Sequence, residues 1–316
     1  MKVAGIRSGR STGVSRYAGL LADALAGEGV DYTCVDAPLQ DWEAHWHLAN
    51  SSRGSVRQAS RHDRPFVVTV HDVVPRTKML EPVYSRLVYP LVVRRAARVV
   101  VHSRLAADLL VRRAGIPPGS VDVIPHPAPA APALTRAEAR AGLGWPDEEQ
   151  VAVLPGAVRG VKLVAEALAA TERSGWRLAV VGEPRERGLV RMAREHGAYV
   201  HESPSDGDYQ RALLAADCVL VLRRDSVGES NGPLLDALGA RRAVLATATG
   251  SIPEVAGGAA ELCDPDVASI RRGLLALADD GRRLELEMLA ASRAADLDWS
   301  ASARAHRAIF DEVFGG

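Results

Sequence analysis

The residues best suited to chemistry lie in one polar segment of the 316-residue chain, between residues 224 and 238. The apolar run Cys218–Leu222 precedes this segment and is typical of a buried parallel strand, and a helical pattern begins near Pro233. In open α/β sheets, ligands bind beyond the carboxyl ends of the strands, which is where this segment falls. The segment is therefore a candidate ligand site.

Two kinds of group in the segment indicate what that ligand would be. The backbone N–H groups of Asn231, Gly232 and Leu234 open a helix, and together with the helix dipole they suit an anion such as a diphosphate. Glu229 and Asp236 flank the anion site, where carboxylates are better explained by hydrogen bonds to the hydroxyls of a sugar or a ribose. The spacing alone is equally compatible with a surface turn at Glu229 and a solvated acid at Asp236.

A second junction between a strand and a helix supplies positive charge. The loop 156–162 follows a predicted strand at 150–154 and contains Gly156, Arg159 and Lys162. Cations beside a leaving diphosphate stabilise the negative charge that builds as the bond breaks. The alternative is a solvated loop with routine charges, but the chain has only three lysines, which favours a function for Lys162.

The order of the remaining elements predicts an α/β protein with two parallel sheets. Strands and helices alternate in both halves, and the Pro–Ala segment 128–133 between the halves predicts a linker. Thr135 and Glu138 predict a capping box at the start of the next helix. The predicted strands are 1–6, 30–35, 65–70, 98–102, 121–124, 150–154, 177–181, 198–201, 217–222, 243–246 and 260–263.

Two such domains would make a cleft lined by polar strand ends. In the first domain these are the glycine loop at residues 7–16, which contains Gly13, and His71, which follows the buried strand at 65–70. A histidine at the carboxyl end of a strand is placed for chemistry, although a structural histidine fits the position equally well. His45 and His47 have no metal-ligand spacing, and we interpret them as packing residues.

Composition excludes several classes of function. The 39 basic and 39 acidic residues leave no net charge, so nothing indicates a nucleic-acid partner. No apolar stretch is long enough to span a membrane, and no signal peptide is evident. The three cysteines are isolated, which predicts core residues in a reducing, cytoplasmic compartment. No cluster predicts a metal site, and the acidic segment Asp264–Asp266 is interpreted as a turn.

Motifs along nearly the whole chain resemble the retaining glycosyltransferases of family 4. The resemblance implies the GT-B fold, in which two Rossmann-like parallel-sheet domains face a cleft. We expect residues 1–133 to form the acceptor-side domain and residues 134–297 the nucleotide-sugar domain, with the last helix, in 298–316, crossing back to the first. The motifs that carry the resemblance are residues 13–17, 70–75, 101–103, 123–127, 180–184, 233–237, 250–255 and 297–300.

The family pattern also implies roles for individual residues. The family has a Glu-x7-Glu signature, and here Asp236 takes the position of the ribose-binding acid, while Glu229 stands one residue too close for the sugar-binding acid. Arg159 and Lys162 correspond to the family's two phosphate-binding cations, at a shortened spacing. With them we expect Glu229 and His71 to act in catalysis by fixing the sugar. The expected donor-binding residues are Gly13, Gly156, Ser230, Asn231, Gly232, Pro233, Leu234 and Asp236.

The resemblance implies transfer of a sugar from a nucleotide diphosphate to a hydroxyl, with retention at the anomeric carbon and without a metal or other cofactor. The segments 40–64 and 76–84 are interpreted as acceptor loops. They contain little basic amphipathic sequence, which favours a small-molecule or glycan acceptor over a lipid. Two alternatives remain open: a nucleotide-sugar 2-epimerase on the same scaffold and a sugar-binding module without enzymatic activity.

Overall fold

The structure is a computed structural model, and it describes residues 1–7, 12–49, 53–73, 89–130, 132–226 and 228–315. The chain divides into two compact units. The first unit comprises Met1–Pro127, Val227–Ser230 and Leu297–Gly316, and the second comprises Ala128–Ser226 and Asn231–Asp296. The predicted acceptor loop at 76–84 lies outside the described residues.

The first unit contains one sheet of six strands. Its described elements are β1 (Lys2–Arg7), α1 (Thr12–Gly27), β2 (Asp31–Val35), β3 (Glu43–Leu48), α2 (Arg53–Ala59), β4 (Phe66–Val70), β5 (Arg98–Val101), α3 (Arg104–Ala114) and β6 (Val121–Val123), with further helical residues at 89–95. All five strand pairs are parallel, and the order is β2-β1-β3-β4-β5-β6.

The second unit contains the other six-stranded sheet. Its elements are α4 (Arg136–Leu143), β7 (Gln150–Pro155), α5 (Val164–Thr171), β8 (Trp176–Gly182), α6 (Arg187–Glu195), β9 (Tyr199–Glu202), α7 (Asp206–Ala215), β10 (Cys218–Val221), α8 (Gly232–Gly239), β11 (Ala243–Thr247), α9 (Ile252–Ala256), β12 (Glu261–Cys263), α10 (Val267–Ala276) and α11 (Asp280–Asp296). Its strand pairs are also parallel, in the order β12-β11-β10-β7-β8-β9. The predicted α/β class with two parallel sheets is therefore confirmed.

The last helix, α12 (Trp299–Phe314), belongs to the first unit. It packs against α1, and Phe310 joins Tyr17, Leu21 and Leu25 in one buried cluster. Asp298 begins the helix because its carboxylate accepts a hydrogen bond from the Ala301 N–H at 2.9 Å. The expected return of the C-terminal helix to the first part of the chain is confirmed.

Strand β3 was not predicted from the sequence. The segment 40–64 was interpreted as an acceptor loop, and this is wrong because it contains β3 and α2. Histidines and apolar residues alternate in β3, so the segment has a polar composition. Its side chains from Ala44 to Leu48 are nevertheless all buried, because the strand lies between β1 and β4 in the sheet.

Two helix boundaries bear on the site. The glycine loop predicted for residues 7–16 is shorter than expected, because α1 begins at Thr12 and places Gly13 in its first turn. Asp266 accepts a hydrogen bond from the Ser269 N–H at 2.9 Å and begins α10, so the acidic segment 264–266 is a helix-capping turn as interpreted. No described helix is long and apolar enough to cross a membrane.

Candidate functional site

The strand order of the second unit brings two predicted loops to one place. Strands β7 and β10 are hydrogen-bonded neighbours, although β8 and β9 lie between them in the chain. The order of the sheet reverses there, and ligands of open parallel sheets bind at such a reversal, beyond the carboxyl ends of the strands. The loop that begins at Gly156 leaves β7, and the segment before α8 leaves β10.

Gly156 has a backbone that only glycine adopts freely. Its φ is +90°, and a Cβ atom there would collide with Nζ of Lys162 and lie 3.3 Å from Cγ of Pro233. The ammonium group of Lys162 and the first turn of α8 therefore both lie close to Gly156, in the space that a side chain would fill. Gly182 is required for the same loop, because a Cβ atom on it would overlap the carbonyl oxygen of Gly156.

Both predicted cations lie in this loop. Lys162 donates a hydrogen bond from Nζ to the carbonyl oxygen of Pro155 at 2.6 Å, which holds the ammonium group at the end of β7. Arg159 is half-buried and occupies the N-cap position of the short 3-10 helix Gly160–Lys162. No carboxylate among the described residues forms an ion pair with Arg159. Glu186 approaches the loop and accepts a hydrogen bond from the Gly160 N–H at 3.0 Å.

The helix α8 begins as predicted, but its N–H groups are used differently. The Asn231 side chain caps the helix by accepting from the Leu234 N–H at 3.3 Å, so Leu234 has no free N–H for an anion. Pro233 has no N–H to donate. Among the described residues, the N–H groups of Asn231 and Gly232 have no hydrogen-bond partner, as is usual in the first turn of a helix.

Asp236 is buried in the first turns of α8, at 9% exposure. Its Oδ2 accepts a hydrogen bond from the hydroxyl of Tyr209 at 3.0 Å. Tyr209 is on α7, so the carboxylate is held between two helices of the same unit. No local sequence pattern singles out Tyr209, because its partner Asp236 is 27 residues away in the chain.

Residues 228–230, which precede α8, belong to the first unit. Gly228 has a φ of +78°, and a Cβ atom there would lie 3.2 Å from Val73 and from Leu109. Glu229 is buried at 6% exposure, and Ser230 is half-buried. The hydroxyl oxygen of Ser230 is buried and has no hydrogen-bond partner among the described residues. An unpaired buried hydroxyl is costly, so Ser230 is suited to donate to a ligand.

His71 lies at the end of β4, inside a group of buried histidines. Its Nε2 is 3.3 Å from Nδ1 of His47, and its Nδ1 is 3.3 Å from Nε2 of His102. Both ring nitrogens are therefore occupied by other histidines. Burial lowers the pKa of His71 well below its usual value, and the neighbouring His47 and His126 lower it further.

Gly13 is exposed, and a Cβ atom there would meet no atom of the described residues within 4 Å. The structure therefore shows no close backbone approach that requires glycine at this position. Among the described residues, no three histidine, cysteine, aspartate or glutamate side chains come together as a possible metal site. The buried histidine group was missed because β3, which carries His45 and His47, was interpreted as a loop.

The sequence also matches a known family model. Residues 39–130 match the model of Glycosyltransferase Family 4. Among curated proteins, no sequence matches.

Solved structures with the same architecture cover the whole chain. Sucrose-phosphate synthase from Thermosynechococcus elongatus has a TM-score of 0.82 at 16% identity, covering 100% of this chain and 99% of the other. Anabaena HepE, solved with UDP-glucose, has a TM-score of 0.77 at 13% identity, covering 99% and 100%. WaaG, a glycosyltransferase of lipopolysaccharide biosynthesis, has a TM-score of 0.71 at 17% identity and covers both chains fully. At these identities the likeness shows the GT-B fold.

Proposed function

We propose that this chain, which belongs to glycosyltransferase family 4 and has the GT-B fold, transfers a sugar from a nucleoside-diphosphate donor to a hydroxyl acceptor with retention of configuration. One observation carries the proposal. Lys162 and the start of α8 both lie against Gly156, where a Cβ atom would stand, at the reversal of the second sheet. A cation, a helix N-terminus and a glycine without a side chain are the parts of a diphosphate site.

The proposed chemistry follows from the charges at this site. The diphosphate leaves the anomeric carbon with an added negative charge, and we assign Lys162, Arg159 and the Gly232 N–H to stabilise it. These groups carry the positive charge that a metal ion would otherwise supply, so we propose that transfer needs no metal. We assign Asp236 to the ribose hydroxyls, and Glu229 and Ser230 to the donor sugar. Pro233 lies in the first turn of α8 and has no N–H to donate.

The role that we propose for His71 differs from the role that the family pattern implies. Because both of its ring nitrogens are bonded to His47 and His102, the imidazole has no nitrogen left for a sugar hydroxyl. We propose that His71 acts by fixing the end of β4. The acceptor is proposed to be a small molecule or a glycan.

The donor is tested first with uridine nucleotides, because HepE was solved with UDP and with UDP-glucose. Nucleoside diphosphates of each base are compared by thermal shift, since a ligand of the native state raises the melting temperature. Turnover is then measured with the matching sugar donors and a panel of acceptors, with and without EDTA. A sugar altered in the absence of an acceptor would indicate the epimerase, and binding of free sugar unaffected by nucleotide would indicate a binding module.

Replacement of Lys162 tests the mechanism. For Lys162→Ala we expect kcat to fall by roughly 100-fold or more, as when one group that stabilises transition-state charge is removed. The control is Arg191→Ala, which removes an exposed cation of α6 that pairs only with Glu195 at the surface. The control should keep full activity, and both variants should unfold close to the wild-type temperature. Normal turnover of Lys162→Ala would remove this lysine from the mechanism.

A further inference from the structure

Four buried histidines of the first unit are connected by hydrogen bonds in a single line, which also includes Thr69 and Tyr32. The Thr69 hydroxyl lies 2.7 Å from Nε2 of His45, and Nδ1 of His45 lies 2.8 Å from the Tyr32 hydroxyl. The same hydroxyl lies 2.7 Å from Nε2 of His47. The line continues from His47 through His71 to His102, and it ends where Nδ1 of His102 lies 3.0 Å from the carbonyl oxygen of Ile124.

The last of these bonds fixes the direction of all the others. A carbonyl oxygen only accepts hydrogen bonds, so Nδ1 of His102 carries a proton and donates it to Ile124. A neutral imidazole has one N–H, so Nε2 of His102 is an acceptor, and Nδ1 of His71 must donate to it. By the same step Nε2 of His71 accepts, and Nδ1 of His47 donates to it.

The direction passes through Tyr32 to the other end of the line. Nε2 of His47 accepts, so the Tyr32 hydroxyl donates its only proton there. The phenolic oxygen then accepts from Nδ1 of His45, and Nε2 of His45 accepts from the Thr69 hydroxyl. Every contact is satisfied by this one arrangement of protons, and reversing any single bond would place two protons or two lone pairs face to face.

We propose that Thr69, His45, Tyr32, His47, His71 and His102 form one directional hydrogen-bond chain, anchored on the Ile124 carbonyl, in which all four imidazoles are neutral and protonated on Nδ1. Within this chain His71 is a positioning residue. Its ring is held from both sides by other imidazoles, and it fixes the carboxyl end of β4 without offering a ring nitrogen to a ligand. This inference does not depend on the proposed reaction.

The surroundings of the chain favour neutral imidazoles. Thr69, His45 and His47 are fully buried, and the other three side chains are at most 8% exposed. Among the described residues, the charged and titratable groups that act on the four imidazoles are Arg7, His126, His306 and the imidazoles themselves, and none of them is a carboxylate. Three of the four rings, those of His47, His71 and His102, also meet Tyr17, a buried phenol, in edge-on contacts. A positive charge would find no counter-ion here.

The test is to measure the protonation of each ring nitrogen by NMR, on full-length protein labelled with ¹⁵N in histidine, at pH 7.5 and without substrate. We expect His45, His47, His71 and His102 each to carry one proton, on Nδ1. His201, which is half-buried in the second unit and outside the chain, is the internal reference. A proton on Nε2 of any of the four, or a doubly protonated ring among them, would overturn the assignment.

The variant Tyr32→Phe tests the direction of the chain. It removes one hydroxyl and keeps the ring that stacks on Phe310. His47, His71 and His102 remain connected to Ile124 and should stay protonated on Nδ1. His45 is disconnected from that anchor and should shift its proton to Nε2, to donate to Thr69. The matched control is Tyr199→Phe in the second unit, which should change none of the four rings. A Tyr32→Phe protein in which His45 keeps its Nδ1 proton, or in which His71 or His102 loses it, would contradict the proposal.

Discussion

At the scale of single residues, the candidate site depends on the residue that orients Asp236, the acid that we propose to bind the ribose. Asp236 has one methylene less than the glutamate of the family pattern, and the hydroxyl of Tyr209 donates to its Oδ2 at 3.0 Å. A carboxylate buried at 9% exposure costs free energy unless donors reach it, so Tyr209 both orients and stabilises it. Tyr209 therefore fixes the orientation of the carboxylate that we propose for the ribose.

Removal of that donor should therefore weaken donor binding. For Tyr209→Phe we expect the Kd for the nucleoside diphosphate that wild type binds best to rise roughly tenfold, about 1.4 kcal/mol, as for one hydrogen bond to a charged group. Isothermal titration calorimetry measures this directly. Tyr199→Phe is a suitable control, since the Tyr199 hydroxyl donates to Glu149 elsewhere in the same unit. An unchanged Kd in Tyr209→Phe would exclude this role for the tyrosine.

The sequence predicted residue types well and their partners less well. The Leu234 N–H was expected to face an anion, and the structure shows it donating to the side chain of Asn231, which caps α8. The residues that hold His71 and Asp236 are separated from them by 24 to 31 positions in the chain. Local patterns cannot reveal such contacts, because they are created by the order of the strands and by helix packing.

At the scale of elements, Gly239 shows how closely the Pro–Ala segment packs at the start of the second unit. Gly239 ends α8, and a Cβ atom there would overlap the carbonyl oxygen of Pro129. The backbone of the Pro–Ala segment therefore passes directly over the end of the helix. This contact cannot relax by rotation of a side chain, because the neighbour is main chain.

Opposite effects are expected for one substitution at two helical glycines of the second unit. Gly239→Ala should lower the free energy of unfolding by about 2–3 kcal/mol, because the added methyl group displaces a backbone segment. Gly188→Ala in α6 has nothing within 4 Å of the new Cβ and should be neutral or raise stability by up to about 1 kcal/mol. Urea unfolding of both variants compares them. Equal effects would show that the segment at Pro129 does not pack as closely as described.

Elements with strong local signals were predicted almost to the residue. The Thr135–Glu138 capping box is present in full, with the Thr135 N–H donating to Glu138 at 2.9 Å. The apolar run of β4 was sufficient to predict this strand. Strand β3 was missed because its histidines give the segment a polar composition. Both rings are nevertheless buried, because Tyr32 bonds to each of them and neighbouring strands supply their other hydrogen-bond partners. Its identity as a core strand depends on Tyr32 and Thr69, which lie on other strands.

At the scale of the whole molecule, the two units share one architecture but differ in their buried chemistry. Each has a six-stranded parallel sheet, yet the strand orders differ, and neither order could be predicted from a pattern of alternating strands and helices. The first unit buries five histidines and partly buries His126, while the two in the second unit, His196 and His201, are at least partly exposed. The units should therefore respond differently to acid.

We expect the first unit to lose stability steeply as the pH falls below about 6.5, the pKa of histidine in an unfolded chain. Burial lowers the pKa of His126 and His306 to about 4, and it lowers the pKa of the four chain histidines well below the usual value. Between about pH 6.5 and these lower values, the unfolded state binds protons that the folded state does not. Above pH 6.5 both states are neutral, so stability is highest there and falls as acid is added.

Each such histidine contributes up to about 1.4 kcal/mol per pH unit within that window, so six together make the slope several times larger than one histidine would. Hydrogen exchange is measured by mass spectrometry from pH 7.5 to 5.0 and corrected for the intrinsic exchange rate. Peptides of β3 and β4 report on the first unit, and peptides of β7 and β8 report on the second. Protection in β3 and β4 should fall much faster than protection in β7 and β8. Parallel loss of protection in both units would mean that the buried histidines do not control acid stability, because the second unit lacks them.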